Sequence, residues 1–167
     1  MSEANVETVV SHWYQLFEGF HIEPSAFYDS LEQAIQKRSI PDTQFERIKC
    51  AEGGMFSADR LYLRITRKDH YFDICGAPFG NGYFVSWWLV AYPHGCLLVF
   101  EQIPFIGAVI KALFNPVTYY RIDTTLMFQQ AVHGSLLSIL DRIIEAKGLR
   151  ALTEAERKPI MREFISR

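Results

Sequence analysis

Arg64 and Asp73 are the first pair in this chain whose types and spacing could do chemistry together. They flank the polar run Arg67-Lys68-Asp69-His70. A two- or four-residue loop centred on Lys68-Asp69 sets them directly opposite each other on adjacent antiparallel strands. An arginine fork can hold a carboxylate at two points, and such a pair can orient the polar end of a ligand or tie two strands together. The same register puts Ile65 opposite Phe72, Leu63 opposite Ile74 and Leu61 opposite Gly76 on one apolar face. It puts Thr66 opposite Tyr71 and Tyr62 opposite Cys75 on the other face, beside the charged pair.

A second turn is centred on Asn81-Gly82, a dipeptide favoured where both central residues need positive φ. That centring predicts Gly76 opposite Trp87 and Ile74 opposite Leu89. It also brings Trp88, Val90 and Tyr92 onto the face of the charged pair, beside Cys75, Asp73 and Tyr71. The candidate site is therefore Tyr62, Arg64, Tyr71, Asp73, Trp88 and Tyr92. Such a face is too apolar to be plainly solvated, where polar and apolar residues alternate cleanly. Three readings are open. A helix covers the face and the ion pair is structural, the face lines a cavity for a small apolar or aromatic ligand, or it meets another protein.

No other chemistry stands out. His12, His21, His70, His94 and His133 are dispersed, without HxH, HExxH or a Cys/His cluster, so no metal site is expected. The glycines from Gly76 to Gly82 lack the strand–glycine–helix order of a phosphate loop. There is no GxSxG nucleophile elbow. Asp73 and Cys75 share a face and could serve acid–base or thiol chemistry, but no histidine is expected beside them. His133, next to Gly134, reads as a helix-packing position. No cofactor is implied, and whether the chain is an enzyme is left open.

These residues lie in a three-stranded antiparallel meander from Arg60 to Tyr92, and other elements must support it. Val6, Val9, Val10, Trp13, Leu16, Phe17 and Phe20 recur at three- and four-residue spacing, which predicts a helix. Pro24 opens a second helix with Phe27, Leu31, Ala34 and Ile35 on its inner side. The short link between them implies an antiparallel helical hairpin. A strand is expected from Gln44 to Ala51. Cys96 to Phe114 is nineteen residues with only Glu101 and Lys111 charged. It reads as a strand ending near Glu101 followed by a short buried helix from about Pro104. Tyr119-Tyr120-Arg121 reads as one more short strand. Asp123 then caps a long helix with Phe128, Val132, Leu136, Ile139, Leu140, Ile143 and Ile144 inside, ended by Lys147-Gly148. Thr153 and Glu156 form a capping box for a last short helix, which Pro159 kinks or splits.

At 167 residues the chain suits one domain. Aromatic residues make up 14%, which calls for a large core, a cavity or a contact surface. A net charge of −2 offers no overall field to recruit nucleic acid. The three cysteines are odd in number, without CxxC, as in a reduced cytoplasmic protein. The segment from Met1 to Glu7 lacks the cationic and apolar regions of a signal peptide. The expected fold is α+β. It has an N-terminal helical hairpin, an antiparallel β-meander sheet of four to six strands, and a long C-terminal helix packed on the sheet. The expected function is a non-enzymatic cytoplasmic module acting through protein contacts, as a homo-oligomer. The alternatives are a small apolar or aromatic ligand held on the sheet face around Arg64 and Asp73, or peripheral membrane association through residues 96–114. The lack of a basic face on the segment 104–114 argues against the membrane.

Overall fold

A computed structural model describes residues 9–51, 59–91 and 118–161. Tyr92 and the apolar stretch Cys96–Phe114 lie outside the described residues. No described helix is long and apolar enough to cross a membrane.

The first element is a strand, β1 (Val9–Glu18), where the spacing of apolar residues predicts a helix. A β-bulge at Val10 separates the pairs Val9–Val90 and Ser11–Leu89. Beyond it Ser11, Trp13, Gln15 and Phe17 pair with Leu89, Trp87, Val85 and Tyr83 and share their inward face. His12, Tyr14, Leu16 and Glu18 point the other way. The bulge, two inward polar residues and two outward apolar ones disguise a two-residue period as a helical stripe. Tertiary pairing then decides in favour of the strand, which β-branched and aromatic residues suit. The inward Ser11 hydroxyl donates to Gln129 Oε1 at 2.6 Å, so its burial leaves no orphan.

Among the described residues the expected helical hairpin is therefore not formed. A single helix, α1 (Pro24–Gln36), is capped by the Glu23 carboxylate, which accepts from the Ser25 amide at 2.6 Å. Its buried residues Phe27, Tyr28, Leu31 and Ile35 face the sheet, and the chain then enters β2 (Thr43–Ala51) at the far edge. From there β3 (Asp59–Arg67), β4 (His70–Phe79) and β5 (Gly82–Ala91) return as a meander to β1. A two-residue strand, β6 (Ile160–Met161), completes an antiparallel sheet of order β2-β3-β4-β5-β1-β6.

The β3–β4 register is the predicted one: Ile65 faces Phe72, Arg64 faces Asp73, and Tyr62 faces Cys75. Pairing stops there because α1 intervenes. The Tyr28 hydroxyl donates to Leu61 O at 2.6 Å and accepts from the Gly76 amide at 2.9 Å, bridging the two strands where Leu61 and Gly76 were expected to pair. The β4–β5 register is two residues away from the predicted one. Gly76 faces Val85, Ile74 faces Trp87, and Asp73 faces Trp88. The turn is Gly80-Asn81, with Gly80 at φ 59°, the place of glycine in a type II′ turn. Gly82 serves a different need: a Cβ there would lie 2.6 Å from the Phe17 carbonyl oxygen of β1. A slip of two residues keeps every side chain on its expected face, so only the cross-strand partners change.

The long helix, α2 (Tyr119–Ala146), starts earlier than Asp123. The Thr118 hydroxyl accepts from the Arg121 amide at 3.3 Å, so Tyr119–Arg121 is its first turn and not a strand. Both helices cover the face carrying Leu63, Ile65, Phe72, Ile74, Trp87 and Leu89, all of them fully buried. Gly148, at φ 63°, ends α2 as expected. After it, Thr153 and Glu156 do form a capping box, but one turn follows and no helix. The carbonyls needed to continue it have other donors. Glu156 O accepts from Trp13 Nε1 at 2.6 Å, and Arg157 O accepts from His133 Nε2 at 2.7 Å.

The second of these bonds sets the tautomer of His133. With Nε2 donating to a carbonyl, its Nδ1 accepts from Trp87 Nε1 at 3.0 Å. Burial holds the His133 imidazole below its ordinary pKa. The folded state therefore binds fewer protons than the unfolded one. Its stability is complete above the unfolded histidine pKa and falls as pH drops through the folded value. The melting temperature should fall between pH 7.5 and 5.0, and His133→Gln should flatten that slope. His70, which burial pushes the same way, accounts for a remainder. An equal slope in wild type and variant would count against this assignment.

Candidate functional site

Five of the six candidate residues share the outer face, the side of the sheet away from both helices: Tyr62, Arg64, Tyr71, Asp73 and Trp88. Tyr92 lies outside the described residues. Arg64 holds Asp73 at two points, Nε to Oδ1 at 2.7 Å and Nη2 to Oδ2 at 2.6 Å. Its guanidinium also lies 4.2 Å from the centre of the Tyr71 ring. The pair is shielded, with side-chain exposures of 21% and 14%. Around it Ile48, Tyr71, Cys75, Ser86 and Val90 are buried. No described helix lies on this face, so among the described residues the helix-covered reading has no support.

Chemically the pair is occupied. Both Asp73 oxygens accept from Arg64, which leaves this carboxylate poorly placed as a base. Burial pushes the Cys75 thiol up, although Arg60 and Tyr62 bond to it, so the reactive thiolate is disfavoured. His12 does come onto this face, because β1 pairs with β5, and it stacks on Trp88 at 4.8 Å. The described residues contain no group of three or more His, Cys, Asp or Glu placed to hold a metal.

An ion pair this shielded is tied to the fold. Arg64→Leu should destabilise the protein by about 2 kcal/mol, because it strands a largely buried carboxylate. Asp73→Leu should do the same to the guanidinium. The double variant Arg64→Leu/Asp73→Leu should lie closer to wild type than either single one. Denaturant unfolding of the four proteins tests this, and additive losses would deny the coupling.

The outer face is open at its β1–β5 end. Trp88, His12 and Tyr14 stack in succession, with 4.8 Å between the first two rings and 6.4 Å between the next, and Phe84 lies 6.4 Å from Tyr14. Phe79 is 66% exposed, Tyr14 57%, Leu16 43% and Trp88 41%. An open groove of about 550 Å³ continues from this ladder, lined by Tyr14, Leu16, Arg60, Pro78, Phe79 and Phe84. It does not include Tyr62, Arg64, Asp73 or Trp88, the residues expected to border a cavity.

Sequence reasoning missed His12, Tyr14, Leu16 and Phe84 because three of them lie on the strand that reads as a helix. Their signal was the density of aromatic and β-branched residues in Val9–Phe17, a strand composition. No family model, no curated protein and no solved structure matches this chain.

Proposed function

We propose that this protein is a non-enzymatic contact module that associates with a second copy of itself through the open end of its sheet. The observation that carries this is the exposed Trp88–His12–Tyr14–Phe84 ladder, with Leu16 and Phe79 beside it. Contiguous apolar surface of this kind is a feature of interaction sites. The ladder runs to an available edge. β1 pairs with β6 only at Ser11 and His12, so among the described residues no strand borders Trp13–Glu18 on that side. An unpaired edge is a template for another strand. Antiparallel pairing of β1 with its copy across a two-fold axis continues the sheet and joins the two ladders into one surface.

Sedimentation at micromolar concentration tests this directly. Wild type should be dimeric, and Tyr14→Glu/Leu16→Glu should be monomeric while still unfolding in one cooperative transition. Exposed aromatic anchors of an interface are worth about 2 kcal/mol, roughly thirtyfold in affinity. A strictly monomeric wild type would overturn the proposal.

The groove favours a second function, binding of a small apolar or aromatic ligand. Its volume is that of a ligand site and Arg60 stands at its rim, which suits a carboxylate on an apolar body. A thermal-shift screen of aromatic and aliphatic carboxylates should then find stabilisers whose effect disappears in Arg60→Ala. Stabilisation that survives Arg60→Ala would place the ligand elsewhere.

A further inference from the structure

On the other side of the molecule, α1 and α2 lie side by side and leave a groove of about 620 Å³ between them. Four cations line it: Lys37, Arg38, Arg142 and Lys147. Among the described residues no carboxylate lines it. This is not the consequence of a basic chain, whose net charge is −2. Nor is it a shortage of acidic partners elsewhere. Arg47, Arg64, Arg121, Arg150 and Arg157 all have carboxylates within ion-pair distance. Among the described residues, none of the four groove cations forms an ion pair.

Helix chemistry explains part of this arrangement. Lys37 and Lys147 are the C-caps of the two helices, where a cation suits the negative end of the dipole. It does not explain Arg38, which leaves its own helix end to lie against α2. Its Nη2 is 3.5 Å from where a Cβ would stand on Gly134. Nor does it explain Arg142, which lies more than a turn before the end of α2. From Gly134 to Lys147 is about 20 Å along a helix at 1.5 Å per residue, so the charges are strung along the groove and do not converge on one point.

Between them Ile22, Ala34, Ile139 and Ile143 supply apolar surface, interspersed with Ser30, Gln33, Ser135 and Ser138. A line of unpaired cations beside an apolar strip fits a ligand that is acidic on one side and apolar on the other. A third helix laid into the groove between two others has that form. A polyphosphate or nucleic acid strand would satisfy the cations but leave the isoleucines unmatched.

We propose that the α1–α2 groove is a docking site for an acidic amphipathic segment of a partner protein. This site is separate from the sheet face and does not depend on self-association. The probe is a fluorescein-labelled sixteen-residue peptide of repeated Glu-Glu-Leu-Leu, followed by anisotropy on the full chain. Binding should be saturable and weaken as salt is raised. Arg38→Glu/Arg142→Glu should weaken it at least tenfold. Lys68→Glu/Lys158→Glu, which changes the net charge equally outside the groove, should leave it unchanged. All four side chains are exposed, and unchanged melting curves verify that the variants fold. A peptide with serine in place of leucine should bind at least tenfold more weakly. The proposal is overturned if the acidic peptide does not bind, if both double variants weaken it equally, or if the serine peptide binds as well. Tighter binding of a sixteen-nucleotide oligo-dT or of tripolyphosphate to the same four cations would also overturn it, in favour of a phosphate ligand.

Discussion

Gly76→Ala is expected to destabilise the protein by about 3 kcal/mol, the upper end of what overpacking one methyl group costs. The added Cβ would stand 2.6 Å from Cδ1 of Phe27 and 2.8 Å from the Tyr83 hydroxyl. Neither neighbour has room to give, since both side chains are fully buried. The same position anchors α1 to the sheet, because the Gly76 amide donates to Tyr28 and Tyr28 donates to Leu61. Moving Phe27 therefore also strains that bridge. In a chain of this length the melting temperature should fall on the order of 10 °C. Phe27→Leu gives a check with a definite sign: combined with Gly76→Ala it should lose less than the sum of the two. A Gly76→Ala loss below about 1 kcal/mol would mean that α1 does not sit this closely on β4.

Adjacent tryptophans provide the second test, with opposite outcomes expected one residue apart. Trp87 is fully buried, 5.1 Å from the Phe72 ring and hydrogen-bonded to His133. Trp87→Ala removes a large core side chain and leaves Nδ1 of His133 without its donor, at a cost of about 3–5 kcal/mol. Given ordinary domain stability, much of the fold is expected to go with it. Trp88 points to the outer face and is 41% exposed. Trp88→Ala should cost the isolated chain about 1 kcal/mol or less and act on association instead. Denaturant unfolding at low protein concentration separates the two effects. Equal losses at both positions would contradict the assignment of the faces.

Much of the meander follows from local chemistry alone. A polar turn and a charged pair placed across it determine the register of β3 and β4, because a one-residue slip would send both residue sets to the wrong faces. Parity is robust for the same reason, so the candidate residues Tyr62, Arg64, Tyr71, Asp73 and Trp88 come to one face even though β5 pairs two residues away from expectation. The choice between Gly80-Asn81 and Asn81-Gly82 as the turn was not local. β1 passes so close to Gly82 that this glycine is needed for the strand contact, and the turn falls one residue earlier.

What only the tertiary structure decided is where β1 goes. Its apolar spacing fits a helix, and nothing nearby in sequence offers it a partner. Its pairing strand, β5, is more than sixty residues away, and contacts at that separation leave no local pattern. The same pairing carries His12, Tyr14 and Leu16 beside Trp88 and Phe84, and so creates the exposed ladder. The Thr153–Glu156 capping box shows the same limit, because Trp13 and His133 take up the carbonyls a helix there would need. Local chemistry determined the β3–β4 turn and which residues share a face; long-range pairing determined which strands meet, and with them the surface available for function.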